Sequence, residues 1–325
     1  MNVRLTTKVA GAVAGALLLS TAANAGCGKM IIAEMNWASA SMIANVDAAV
    51  LTAMGCDVSL VAGSTMPTFT SMNEKGTPDV APELWANAVS DLLDSAVDAG
   101  RMMVGTEGPI TGLGEGWWLL PHTLDAYPEL TTVAAVLARP DLFGGKFHGC
   151  PAGWGCQLAN ANLFEANDMA AKGWTLVDPG SAAGLDGSIA KASESGENWF
   201  GYYWNPTSIV GKYGLTMVDW DIAYAGDDNW VGCIALADCA DPQPSAWIQS
   251  RVVTALSENA YRQGSEVTDY FAARVIPGTA LNAELVWMDD NNGTGADAAA
   301  HFLANSDIWE AWVSEDIAAA VRAAL

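Results

Sequence analysis

The chain has 325 residues, 51% of them hydrophobic, a formal charge of −23, and 14 Trp against only 14 Lys plus Arg. A surface this acidic repels nucleic acid and anionic membranes, which excludes partners read through phosphate. Residues 1–25 carry a basic start (Arg4, Lys8), an apolar run over 9–22 and the A-x-A site Ala23-Asn24-Ala25, the layout of a secretory signal.

The apolar run is too short and too rich in Ala and Gly for a membrane span, and no later stretch is long enough. Removing Arg4 and Lys8, with no acids, takes the formal charge from −23 to −25. The mature chain of about 300 residues suffices for one large or two medium cores. The expected compartment is the periplasm. Acylation of Cys27 as a lipoprotein is disfavoured, because Asn24 is a poor fit three positions before it.

Past the signal, strands at 29–35 and 57–62 flank a helix at 39–54 that stops at Gly55. This βα unit opens a largely parallel sheet. Short helices follow at 65–74 and 82–99, the second ending at Gly100. Residues 105–116, glycine-rich and holding Glu107, Pro109 and Glu115, read as a loop and strand leading to a crossover at 117–121. A second block, about 119–247, reads as a helix at 124–137, a Trp154 loop, a helix at 157–167 and a strand at 174–177. A helix at 181–195, an aromatic strand at 199–203 and a Gly/Asp/Cys/Pro loop at 227–244 complete it. From 248 the pattern is helical throughout, in segments 248–263, 265–275, 282–288, 296–304 and 308–324. Asp289-Asp290-Asn291-Asn292-Gly293 faintly resembles a calcium loop, but it lacks the downstream acid and reads as a polar linker.

All six cysteines lie in the exported part, which favours three disulfides in an oxidising compartment. Cys150–Cys156 and Cys233–Cys239 are local pairs. Cys27 and Cys56 precede the first two strands, and parallel neighbours would bring them within reach of each other. Zinc is disfavoured: there is no C-x-x-C and no paired His.

In Phe147-His148-Gly149-Cys150-Pro151-Ala152-Gly153-Trp154-Gly155-Cys156 a stapled, glycine-lined loop holds one indole. That is a poor core element and a good fixed wall for a ligand, and Trp offers the best ring face for a cation. Trp37 follows the first strand, Trp85 follows Pro82-Glu83-Leu84, and Trp204 closes the aromatic strand before Asn205-Pro206. Ligands of open α/β sheets bind beyond the carboxyl ends of strands, where Trp37 and Trp204 fall.

Gly149–Cys156 resembles the GWGC loop of glycine betaine-binding proteins, which serve osmoprotectant ABC transporters. Phe200-Gly201-Tyr202-Tyr203-Trp204-Asn205-Pro206-Thr207 is similar to that family's YY-x-W-x-P stretch, and Pro82-Glu83-Leu84-Trp85 to its E-x-W segment. The resemblance implies an α/β, two-lobed periplasmic solute-binding protein (type II), each lobe a mainly parallel sheet flanked by helices. The lobes would be 27–117 plus 249–325, and 118–248. It implies that Trp85, Trp154 and Trp204 box a trimethylammonium or sulfonium head, with Trp37 as a fourth wall. The backbone amides of Gly155 and Cys156 would take the ligand's anion, a role a helix N-terminus also suits.

The chain departs from some relatives at Val89, where they place a His for the carboxylate; Asn87 or His148 would have to compensate. The expected ligands are glycine betaine or dimethylsulfoniopropionate, with choline or trimethylamine N-oxide as alternatives. Choline would be favoured if Glu34 or Glu83 faces the cleft. The expected partners are the solute and an inner-membrane ABC permease, with the protein a monomer, without cofactor or metal, and not an enzyme. The rival class is a secreted carbohydrate-active enzyme using Trp platforms and a carboxylate pair from Glu34, Glu83, Glu107 and Glu115. His122, His148 and His301 are scattered, and no G-x-S-x-G or H-E-x-x-H motif is present.

Overall fold

The computed structural model describes residues 27–325, so the expected signal at 1–25 lies outside the described residues. Ten strands form two sheets. The first holds β1 (Lys29–Met35), β2 (Asp57–Gly63), β3 (Val80–Trp85), β4 (Met102–Glu107) and β10 (Val252–Ser257), in the order β2-β1-β3-β10-β4. The second holds β5 (Gly114–Leu119), β6 (Lys146–His148), β7 (Thr175–Val177), β8 (Phe200–Asn205) and β9 (Thr216–Met217), in the order β7-β6-β8-β5-β9.

Each sheet is mixed. β1 runs parallel to β2 and β3, whereas β10 is antiparallel to β3 and β4. β6 runs parallel to β7 and β8, whereas β5 is antiparallel to β8 and β9. The antiparallel strands are those the chain enters on crossing from the other lobe. Val252 of β10 pairs with Trp85 at the end of β3, and Gly114 of β5 pairs with Asn205 at the end of β8. Both crossings therefore enter at the strand ends that carry Trp85 and Trp204. Because β5 begins at Gly114, a division at 117/118 falls inside a strand of the second sheet.

The opening unit follows its periodicity. Helix Ala38–Ala53 buries Met42, Ile43, Val46, Val50 and Leu51 against the first sheet. The Lys29↔Asp57 register brings Cys27 and Cys56 together, and they form a disulfide. Cys150–Cys156 and Cys233–Cys239 are bonded as well.

Two expected helices are strands. Residues 82–85, read as a helix start from Pro-Glu, belong to β3; the helix begins only at Ser90 and runs Ser90–Asp98. Proline, lacking an N–H, is tolerated in a sheet at a bulge. The β3–β10 register shifts between Val253 and Ala255, opposite Pro82-Glu83. The expected helix at 248–263 is the central strand β10 followed by a turn of helix at Glu258–Tyr261. β10 is buried along its whole length, so it has no alternation to betray it, though Val252, Val253 and Thr254 are β-branched. The 289–293 segment ends helix Gly278–Asp290, and Lys212 Nζ lies 2.7 Å from Asp289 and 3.8 Å from Asp290.

Candidate ligand-binding site

Six indoles and one phenol converge on a cavity between the two sheets: Trp37, Trp85, Trp154, Trp204, Trp230 and Trp247, with Tyr202. All four expected tryptophans line it, as do Gly155 and Cys156. Trp37 caps helix Ala38–Ala53 just past β1, and Trp85 ends β3. Trp204 lies at the far end of β8, and Trp154 caps helix Gly155–Ala166. Trp154 is packed edge-to-face between its neighbours, 5.3 Å from Trp37 and 5.1 Å from Trp204.

The stapled loop meets the first lobe directly. Trp154 Nε1 donates to Asn36 Oδ1 at 2.8 Å, and Met66 N donates to Gly153 O at 3.1 Å. A Cβ on Gly155 would stand 2.7 Å from the Ala88 Cβ, so only glycine allows this approach. The Gly155 and Cys156 amides begin the helix and have no acceptor among the described residues, as the first amides of a helix must unless capped.

Two glutamates serve the cavity differently. Glu83 is fully buried behind it, where Oε1 accepts from Trp37 Nε1 (2.8 Å), Trp85 Nε1 (2.9 Å) and Ser39 Oγ (3.0 Å). Burial raises its pKa, opposed by those hydrogen bonds and by Arg274. Glu115 lines the cavity and is the one carboxylate that does so among the described residues. Tyr202 donates to its Oε1 at 2.8 Å and Ser250 to its Oε2 at 3.2 Å. Burial pushes Glu115 up to about 7 against these donors; the Trp247 indole N–H also pulls it down without reaching ordinary hydrogen-bond geometry.

The other residues singled out from sequence lie elsewhere or are occupied. Glu34 accepts from Ser41 (2.6 Å) and Asn45 (3.2 Å) on the first helix, and Glu107 pairs with Arg251 at 2.8 Å. Val89 is buried. Asn87 lines the cavity, but its Oδ1 accepts from Arg251 N at 2.8 Å and its Nδ2 donates to Gln249 O at 3.4 Å. His148 does not line the cavity; its ring stacks on Trp199 at 5.4 Å, and burial pushes its pKa down to about 4.

Sequence reasoning missed Trp230, Trp247, Tyr202 and Glu115 as cavity residues. Trp230 sits in the 227–244 segment read as a loop and Trp247 just past its end, their rings 5.3 Å apart. The Cys233–Cys239 staple just past Trp230 was the available signal, since its cysteine spacing repeats that of the staple around Trp154. Asn162, on the helix that follows Trp154, holds that segment by donating to Ile234 O (2.9 Å) and Leu236 O (2.8 Å). No group of three or more His, Cys, Asp or Glu is arranged to hold a metal among the described residues. Among them, too, no helix is long and apolar enough to cross a membrane.

The sequence matches the substrate binding domain of ABC-type glycine betaine transport systems (OpuAC) over residues 28–305. The chain belongs to the OpuAC family. Its fold is that of solved members of this class. An ABC-transporter choline binding protein in complex with choline aligns with a TM-score of 0.73 at 18% identity, covering 92% of this chain and 98% of that one. The glycine/betaine/L-proline-binding protein ProX of Borrelia burgdorferi aligns at 0.71 and 16%, covering 90% and 99%. Lactococcal OpuAC, closed on glycine betaine, aligns at 0.67 and 15%, covering 88% and 100%. At these identities the likeness establishes the two-lobed fold. No curated protein sequence matched. OpuAC proteins are solute-binding components of transporters rather than enzymes.

Proposed function

We propose that this OpuAC protein is the periplasmic substrate-binding component of an ABC importer and captures a methylated onium solute, glycine betaine or dimethylsulfoniopropionate, as a monomer. One observation carries the reading: six indole-bearing side chains from both sheets enclose a single cavity whose lining holds no Lys, Arg or His. A quaternary ammonium has no N–H to donate, and its charge is spread over methyl groups that suit aromatic faces. Each face contributes about 0.5–2 kcal/mol, so four give roughly 2–8 kcal/mol before binding costs; a micromolar Kd corresponds to about 8 kcal/mol. A ligand carboxylate would take the free amides of Gly155 and Cys156. The lobes close on the solute, and the closed form is what the permease recognises; no bond is made or broken.

Glu115 favours a second reading. A carboxyl in the lining with a pKa of about 7 suits choline when ionised, and the oxygen of trimethylamine N-oxide when protonated. Glu34 and Glu83, which the sequence offered for choline, are engaged outside the lining.

The test is intrinsic tryptophan fluorescence with glycine betaine, dimethylsulfoniopropionate, choline and trimethylamine N-oxide, with maltose as control. A saturable change with an onium compound is expected, and the ranking assigns the tail. A response to maltose alone would refute the cage and revive the carbohydrate reading.

A further inference from the structure

Glu83 is fully buried, does not line the cavity, and stands behind two of its walls. Three donors converge on its Oε1, two of them the cage indoles Trp37 and Trp85, while Oε2 has no partner. Burial raises the Glu83 pKa, and the three donors converging on one oxygen oppose that rise by favouring the ionised carboxylate. The cation that reaches Glu83 electrostatically is Arg274, also fully buried. Arg274 is ion-paired elsewhere: its Nε lies 2.9 Å from Asp47 Oδ1, and its Nη2 donates to Pro82 O (2.9 Å) and Thr254 Oγ1 (2.5 Å), while its Nη1 has no partner among the described residues. Asp47 in turn accepts from Tyr270 at 2.5 Å. Two buried carboxylates thus share one buried guanidinium, and no Glu83–Arg274 ion pair forms among the described residues. With both carboxyls ionised, the three groups carry one net negative charge.

We propose that Glu83 is the counter-ion of the onium head, acting through the Trp37 and Trp85 rings rather than by contact. This rests on the reading of the cavity as an onium cage. An indole whose N–H donates to a carboxylate gains electron density on its ring, which strengthens its attraction for a cation on its face. One carboxylate oxygen also fixes the angle between the two rings. The bound head then supplies the second cation, matching Arg274 and ligand against Asp47 and Glu83. Glu83 is a positioning and specificity residue: it makes the site choose a charged methylated head over an uncharged group of the same shape.

The experiment compares each onium compound with its carbon isostere: choline with 3,3-dimethylbutanol, and glycine betaine with 3,3-dimethylbutanoate. Calorimetry is run on the wild type and on Glu83→Gln, which keeps the size and an acceptor oxygen. The substitution should lower onium affinity about tenfold and leave isostere affinity within about twofold, a loss on the scale of the ring–cation term. An unchanged onium-to-isostere ratio, whether both weaken or neither does, overturns the proposal and assigns Glu83 a structural role. A wild type that binds no onium compound overturns the cage reading instead. If Glu83→Gln does not fold, 13C NMR of side-chain-labelled glutamate in the wild type decides. The Glu83 carboxyl should be ionised in the ligand-bound protein at about pH 7.5, and a protonated Glu83 there overturns the proposal.

Discussion

The two halves of the cage are built on opposite plans. In the first lobe, Trp37 and Trp85 are tethered by their N–H groups to a carboxylate behind them. In the second, Trp204, Trp230, Trp247 and Tyr202 are held chiefly by packing ring against ring, and their carboxylate, Glu115, stands in front of them. The first plan fixes ring orientation from a rigid sheet and keeps its charge away from the ligand. The second offers a larger apolar surface and places a titratable group where the ligand's polar end can meet it. On the proposed reading, one half would recognise the methylated head, and the other would also sample what is attached to it.

Breaking the contact between the halves should cost most. Trp154 belongs to the second lobe but bonds Asn36 and packs on Trp37 of the first. Trp154→Ala removes a wall and a bond across the cleft, and should weaken binding more than about tenfold, or about 1.4 kcal/mol. Unchanged affinity by calorimetry would sink the cage. Gly155→Ala should come next, since its Cβ would collide with Ala88 as the lobes meet. Ligand should then fail to shrink the radius of gyration seen by small-angle scattering; normal closure would mean that the helix can shift aside.

The pH dependence of affinity sharpens the contrast between the two glutamates. Choline is a cation and favours ionised Glu115, so its affinity should rise as pH passes through about 7. Trimethylamine N-oxide needs a donor and favours the protonated form, so its affinity should fall over the same range. The change should be about three- to tenfold between pH 6 and 8, and Glu115→Gln should flatten it. A slope that survives Glu115→Gln assigns the titration to another group. Weaker still is the effect of the staple. Replacing Cys150 and Cys156 by Ser should leave the protein folded and cost about fivefold, the scale of ordering one loop on binding, about 1 kcal/mol. Normal affinity would make the staple purely structural.

The site was more legible in sequence than the sheets around it. Trp37, Trp85, Trp154 and Trp204 sit beside Gly, Pro or Asn at element ends, a context visible without knowing the fold. β3 and β10 were misread because strands buried on both faces lose the period-2 alternation, and Pro82-Glu83 imitates a helix N-terminus. Glu115, noticed only as one acid of a possible carboxylate pair, and Trp247 were not placed in the cavity for another reason. Glu115 is one acid among 37 Asp plus Glu, and only the pairing of β5 with β8 sets it beside Tyr202. Spacing along the chain carries no trace of a contact between residues 87 apart.

A separate effect should appear without any ligand. A carboxyl whose folded pKa exceeds its unfolded value binds more protons in the native state between the two values. For Glu115 that window runs from the ordinary 4.5 to about 7, and across it the contribution to stability falls as pH rises. Asp47 contributes in the same sense from 3.8 to about 6, while His148, lowered from 6.5 to about 4, contributes in the opposite sense. Asp186, raised from 3.8 to about 6, and Glu83, also raised by burial, add to the total slope, so the informative quantity is the difference between wild type and Glu115→Gln. Followed by thermal unfolding of the ligand-free protein, the wild type should lose ground to the variant from about pH 4.5 to about pH 7 and track it above. Glu83→Gln makes the comparison sharp. Glu83 accepts from three donors whereas Glu115 accepts from two, so its substitution, which keeps an acceptor oxygen and removes the charge, weakens more of the hydrogen bonds that the ligand-free fold already makes and should lower the melting temperature at every pH in the window. Equal behaviour of the two variants would mean that the front and the back of the cage are not built on different plans.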